Sequence, residues 1–364
     1  MPVEPAVARL QELVRIPTIS RVDETAVNWL EFERFIATLE KLYPLVHEHL
    51  ECERVAGHSL LFRWAGRSPG NPAVLMGHYD VVPATDEGWD HPAFGAEVTG
   101  EGDERVLWGR GTIDDKGAVV SILEGVEARL RDGFQPEHDV YLSFGHNEET
   151  TGEGGAAAAA LLRERRIRPA LVLDEGGAVV EGIFPGVTDP IAVVGVSEKG
   201  TTNVHLTVDQ VGGHASTPPR MTATVRLARA ITRLNRRPFP ARFSPANLEM
   251  IRTVGAHATQ PLRFVFTQLW LTRLPLLGLF TRLGDETNAM TRTTQAVTML
   301  SASDAENALA ETATANVNVR VAVGSSVADA VAHIRRAIHD DDVRVEVVRP
   351  NEPSPMSPST GPAW

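Results

Sequence analysis

Apolar positions recur at helical spacing over Ala6–Val14, where Leu10, Leu13 and Val14 share one side. They do so again over Glu24–Leu42, which carries Trp29, Leu30, Phe32, Phe35, Ile36 and Leu39. Short apolar runs at Ser59–Trp64, Ala73–Met76, Val106–Trp108, Val140–Phe144 and Ala170–Leu173 predict strands, and the stretches Ala118–Arg131 and Gly155–Ile167 predict helices between them. Strands alternating with helices predict an α/β domain built on a mostly parallel sheet with helices on both faces. In such a sheet a site forms at the carboxyl ends of the strands.

Near Ser197 the pattern changes. Asn203–Val208, Ala296–Leu300, Ala313–Val323 and Val343–Val348 read as strands, and Met221–Leu234 and Val327–Ile338 as amphipathic helices. Their order, βαββαβ, is that of a small split-βαβ sandwich, with helices inserted from about Pro245 to Leu283. The predicted organisation is a first domain over 1–197, a second over 198–350 and a Pro/Ser-rich tail over 351–364. The most apolar stretch, Phe264–Phe280, is interrupted by Arg273 and Pro275. It is too short and broken for a membrane span and reads as a packed or interface helix, so no membrane partner is expected.

A chain of 364 residues is long for one core, in keeping with two domains. Its net charge of −12, from 35 Lys+Arg against 47 Asp+Glu, argues against a general nucleic-acid binder. The single cysteine, Cys52, excludes an intrachain disulfide, and the first ten residues carry no apolar signal segment, so a reducing cytoplasm is the expected setting.

The candidate chemistry lies in the turns that follow the strand-like runs. Leu107-Trp108-Gly109-Arg110-Gly111-Thr112-Ile113-Asp114-Asp115-Lys116-Gly117 presents two adjacent carboxylates at a glycine-rich bend. Such a pair repels itself unless a cation holds it; the plainer reading is an acidic turn before a helix N-terminus. His78 and Asp80 follow one strand, Glu148-Glu149 another and Asp174 a third. A neutral imidazole with hard oxygen ligands suits Zn²⁺, Mn²⁺ or Co²⁺. A carboxylate shared by two ions makes a two-metal site with ions about 3.5–4 Å apart, and a glutamate beside a ligand glutamate is well placed as general base.

These stretches resemble the zinc aminoacylase/carboxypeptidase metallohydrolases, a family that includes carboxypeptidase G, succinyl-diaminopimelate desuccinylase and the carboxypeptidase S-like enzymes. The resemblance rests on Met76-Gly77-His78-Tyr79-Asp80-Val81-Val82-Pro83, Trp108 to Gly117, Gly145-His146-Asn147-Glu148-Glu149, Leu173-Asp174-Glu175-Gly176-Gly177 and Gly212-Gly213-His214-Ala215-Ser216-Thr217-Pro218, in the family's order. It implies a zinc-exopeptidase-like sheet domain carrying an inserted lid and dimerisation domain. By that resemblance His78 and Asp174 bind one ion, Asp114 bridges two, Glu149 binds the second, Glu148 is the base and Asp80 orients His78. The Asp114–Asp115 peptide would be cis. His214 would reach the partner subunit's site in a homodimer and stabilise the oxyanion, and Asn307 and Arg320 would hold the substrate carboxylate. The implied cofactor is zinc, two ions per complete site, with Co²⁺ or Mn²⁺ as alternatives. The implied reaction is hydrolysis of an amide next to a free carboxylate, in a dipeptide or N-acyl amino acid.

Asn147 stands where the family has Asp, and Asn307-Ala308-Leu309-Ala310 replaces Asn-Val-Leu-Pro. In these enzymes the chain returns from the lid to the catalytic domain and supplies a last ligand histidine. Here residues 351–364 resemble the start of that return, and no histidine follows Pro350. The catalytic domain is therefore expected to be truncated, with His146 the nearest replacement ligand by sequence. The competing expectation is a non-catalytic homologue that binds metal weakly or only dimerises.

Overall fold

The computed structural model describes residues 4–361 in two compact units, 4–175 and 176–361. In the first, helices α1 (Glu4–Val14), α2 (Trp29–Leu42) and α3 (Pro44–His49) precede a hairpin of β1 (Glu51–Val55) and β2 (Ser59–Trp64), then β3 (Ser68–His78). Two short strands, β4 (Val98–Thr99) and β5 (Val106–Leu107), pair with each other before α4 (Lys116–Arg131), β6 (His138–Gly145), α5 (Glu153–Glu164) and β7 (Leu171–Leu173). The five-stranded sheet runs β1-β2-β6-β3-β7.

That sheet is mixed rather than mostly parallel. β3 is parallel to both β6 and β7, whereas β2 is antiparallel to β1 and β6. The tight Ala56–His58 turn makes β1 and β2 a hairpin, and a hairpin can only be antiparallel. Helices cover both faces because side chains alternate along each strand. Leu60, Phe62, Trp64, Leu142 and Phe144 pack with α2, α3 and α4, while Leu61 and Tyr141 pack with Ala158 and Leu162 of α5. The single helix expected over Glu24–Leu42 is two pieces. A 3₁₀ turn, Glu24–Ala26, is capped by Asp23, and the chain then extends through Val27 before α2 begins.

The second unit opens with a hairpin, β8 (Ala178–Val180) and β9 (Ile191–Val193), followed by β10 (Gly200–Asp209), β11 (Gly213–His214) and α6 (Ala223–Asn235). Four helices come next: α7 (Pro245–Gly255), α8 (Leu262–Thr267), α9 (Leu269–Leu283) and α10 (Asp285–Thr291). The unit closes with β12 (Thr294–Ser301), β13 (Ala308–Leu309), β14 (Thr312–Val321), α11 (Val327–Ile338) and β15 (Arg344–Asn351). Its antiparallel sheet runs β12-β14-β10-β15, so the βαββαβ order with a helical insertion is present as expected. Leu227 and Leu234 of α6 and Ile334 and Ile338 of α11 bury the alternating valines of β14. Thr222 and Ser326 cap these two helices by accepting a backbone N–H three residues on.

Lys116 fixes how α1 meets α4. It is fully buried at the start of α4, and its Nζ donates to the carbonyls of Leu13 (3.1 Å) and Ile16 (2.6 Å), where α1 ends. Lys116→Met is expected to leave the two carbonyls with only their backbone donors, the N–H groups of Ile16 and Thr18, and to lower unfolding stability by about 1–3 kcal/mol through the lost charged hydrogen bonds. Denaturant titration reads this directly; an unchanged midpoint would refute the clamp.

Candidate metal centre

His78 ends β3 where β3 lies between β6 and β7, so the carboxyl ends of three parallel strands converge beside it. The backbone N–H of His78 donates to Asp115 Oδ2 at 3.0 Å. This brings the Asp114-Asp115 turn, at the N-terminus of α4, against the strand end. Gly77 permits the approach: a Cβ there would stand 2.8 Å from Asp115 Oδ2. The Asp114–Asp115 peptide is cis.

The imidazole is held from behind. Its Nδ1 lies 3.0 Å from the Asp80 carbonyl and 3.3 Å from Asp80 Oδ1, so the proton on that nitrogen is donated to Asp80. Nε2 then faces outward, 3.0 Å from Asp114 Oδ1, 3.6 Å from Glu175 Oε2 and 3.8 Å from Glu148 Oε2. Fixing the tautomer through the second ring nitrogen is how metal-binding histidines are prepared. Asp80 also accepts the N–H of Glu148 (3.0 Å) and of Glu149 (3.2 Å), which sets the turn after β6.

Among the described residues, two groups of side chains offer ligand atoms within 4.8 Å of one another: His78, Asp114 and Glu149, and His78, Glu148 and Glu175. The acid at the end of β7 that reaches His78 is Glu175. Asp174 is exposed, is absent from both groups, and its Oδ1 accepts the N–H of Glu175. Successive residues of an extended chain point opposite ways, so one of these two adjacent acids faces the imidazole and the other does not. The sequence reading passed over Glu175 and over the buried Asp115; in each case the signal was a second acid beside the chosen one.

The electrostatics are those of a site built for a cation. Burial works against charge on His78, yet Asp80, Glu175 and Glu148 hold its pKa up at about 10. Burial pushes Glu175 up to about 7, with Asp115, Asp114 and Asp174 adding repulsion against the opposing pull of His78. Burial likewise raises Glu148, Glu149 and Asp115, the last to about 6. One imidazole among carboxylates whose charge is unfavourable fits a hard or borderline divalent ion.

His146 does not join them. Its Nδ1 is 2.7 Å from Ser59 Oγ, and the rings of Trp29, Phe32 and His58 surround it. In the second unit, His214 and Asn307 share the β11–β13 ribbon. His214 pairs with Ala308, and Ala215 N donates to Asn307 O at 3.0 Å. Arg320, on β14, donates to Thr201 Oγ1 at 2.9 Å.

Comparison with known proteins identifies the family. The model of Peptidase family M20/M25/M40 matches residues 74–359. A probable carboxypeptidase S-like 2 of Dictyostelium discoideum is 36% identical over 97% of this chain and 68% of its own length. An N-fatty-acyl-amino acid synthase/hydrolase PM20D1 of Xenopus tropicalis is 35% identical over 97% of this chain and 69% of its own. The matches run over 97% of the chain, which spans about two thirds of the length of these curated relatives. The solved dipeptidase Dug1p of Saccharomyces cerevisiae, 14% identical, covers 98% of this chain and 80% of its own with a TM-score of 0.61, which shows a shared fold. The acid-ringed imidazole at three strand ends, the inserted βαββαβ unit and these matches together make the chain a hydrolase belonging to Peptidase family M20/M25/M40.

Proposed function

We propose that the chain is a divalent-metal-dependent hydrolase that cleaves an amide bond next to a free carboxylate, in a dipeptide or an N-acyl amino acid. The observation that carries this reading is the single imidazole nitrogen facing Asp114, Glu148 and Glu175 from one side, with Asp80 behind it. In the names of the relatives, hydrolysis of N-fatty-acyl amino acids and carboxypeptidase activity recur.

His78, Asp114 and Glu149 would hold one ion and share Asp114 with a second, for which the acids at the end of β7, Glu175 or Asp174, provide oxygen. Zinc suits this nitrogen and oxygen set, as do Co²⁺ and Mn²⁺. A bound ion supplies Lewis acidity and a water of lowered pKa. Glu148 takes the proton of the attacking water and delivers it to the leaving nitrogen; its raised pKa suits both halves of that transfer. His214 serves as donor to the oxyanion, and Asn307 with Arg320 holds the substrate carboxylate. A homodimer formed through the second unit and a cytoplasmic setting belong to the same reading.

With Zn²⁺ supplied, an N-acyl amino acid is expected to be cleaved about a hundredfold or more faster than the same compound with its carboxylate amidated, because a charged group in the site is then unpaired. Equal rates in a steady-state assay would overturn the reading. Glu148→Gln is expected to lower kcat by about 10²–10⁴-fold while metal content stays the same. Loss of metal in that variant would exchange the roles of Glu148 and Glu149.

The pKa shifts predict linked proton and metal binding. In the metal-free protein His78 rises from 6.5 to about 10, Glu175 from 4.5 to about 7 and Asp115 from 3.8 to about 6. Each folded-state pKa lies above its unfolded value. The contribution of each group is therefore fully present below the unfolded pKa and lost as pH rises through the folded one. The gap in thermal midpoint between metal-loaded and metal-free protein should widen from pH 6.5 towards 10. At pH 7.5, zinc binding should release about one proton from His78. Calorimetry in two buffers of different ionisation enthalpy measures this, and identical heats would contradict it.

A further inference from the structure

Residues 250–284 contain no aspartate or glutamate, in a chain of 364 residues with 47 acids and a net charge of −12. The same stretch holds Arg252, Arg263, Arg273 and Arg282, all of them exposed. Within α8 and α9 every charge is therefore positive, opposite to the sign of the whole, with acids flanking the stretch at Glu249 in α7 and at Asp285 and Glu286 in α10.

The insertion is also apolar beyond what its own packing uses. On one side of α9, Leu276, Leu269 and Phe280 pack onto a cluster with Val187, Ile251 and Phe266. On the other side Trp270 is 79% exposed and Leu274 71%, and Leu271, Leu279 and Leu283 are also exposed, with Phe264 of α8 nearby in sequence. A helix that is apolar all round belongs where both sides are covered, and among the described residues only one side is. A second copy of the chain is the competing cover; it would have to pair these arginines with Asp285 and Glu286 at the start of α10, because α8 and α9 themselves carry no acid. An anionic lipid surface supplies what the patch lacks, negative charge for the arginines and apolar depth for tryptophan and leucine. No helix among the described residues is long and apolar enough to cross a membrane, and lying on one requires no span.

We propose that α8 and α9 form a docking surface for an anionic lipid bilayer, with Trp270, Leu271 and Leu274 seated at the headgroup boundary and Arg263, Arg273 and Arg282 against the lipid charges. This does not depend on the hydrolase reading. The test is flotation of the purified chain with vesicles of phosphatidylcholine alone or mixed with phosphatidylserine. The chain is expected to float with the mixed vesicles and not with phosphatidylcholine alone, and to dissociate as salt is raised. Trp270→Glu with Leu274→Glu should abolish flotation without changing the thermal midpoint, and Arg273→Gln should weaken it about fivefold. The proposal is overturned if the chain fails to float with the mixed vesicles, or if the double variant floats as well as the parent. It is equally overturned if the double substitution splits a dimer, by light scattering, in a chain that binds no vesicles, which would make a second copy the occupant.

Discussion

The Asp80 carboxylate has no solvent exposure, and three groups converge on it: the Nδ1 side of His78 and the backbone N–H groups of Glu148 and Glu149. A buried carboxylate is costly unless donors compensate it. Burial works against its charge, but the hydrogen bond from His78, its positive charge and the Glu148 N–H hold the pKa below the ordinary carboxylate value. Asp80 thus joins the end of β3 to the turn after β6. The direction of the imidazole and the placement of the acid pair are consequences of one charge, so neither can shift without leaving a buried donor unpaired.

A second set of contacts brings α4 to the same point. Asp115 accepts the His78 N–H, Gly77 leaves room for it, and Lys116, the next residue, ties α4 to the end of α1. Three consecutive residues therefore divide the work. Asp114 turns its oxygen to the imidazole, Asp115 anchors the turn to the strand, and Lys116 anchors it to the neighbouring helix. The run Asp-Asp-Lys is better understood as one proposed ligand on two supports than as a pair of ligands and a stray cation.

Much of this was legible in the sequence because strand ends and chemistry coincide there. His78, Glu148 and Glu149 follow apolar runs that form buried strands, Asp114 follows the short, partly exposed β5, and all four stand together in the structure. What was not legible turned on direction or on weak pattern. Choosing between Asp174 and Glu175 requires the facing of the chain just past a strand of three residues, which no periodicity encodes. β1, Glu-Cys-Glu-Arg-Val, is an edge strand that buries only Val55, so its composition hid it and with it the antiparallel half of the sheet. The helix expected from Glu24 failed at Val27, where an extended backbone after the Asp23 cap outweighs the apolar spacing on either side.

The acids at the centre conflict with the fold's own stability. Glu148, Glu149, Glu175 and Asp115 are all raised by burial, and each sits closer to other acids than an uncompensated protein surface favours. The sheet supplies one imidazole to oppose them, and that imidazole is itself driven to the charged form by them. A proton on His78 is a poor substitute for a divalent ion, because it satisfies one carboxylate at a time while several converge. Elsewhere the first unit relies mostly on ordinary means, sheet faces buried on both sides and a lysine matched to two helix-end carbonyls. The crowding of acids lies at the three strand ends and the start of α4, as expected where stability has been given up for a site that would hold a cation.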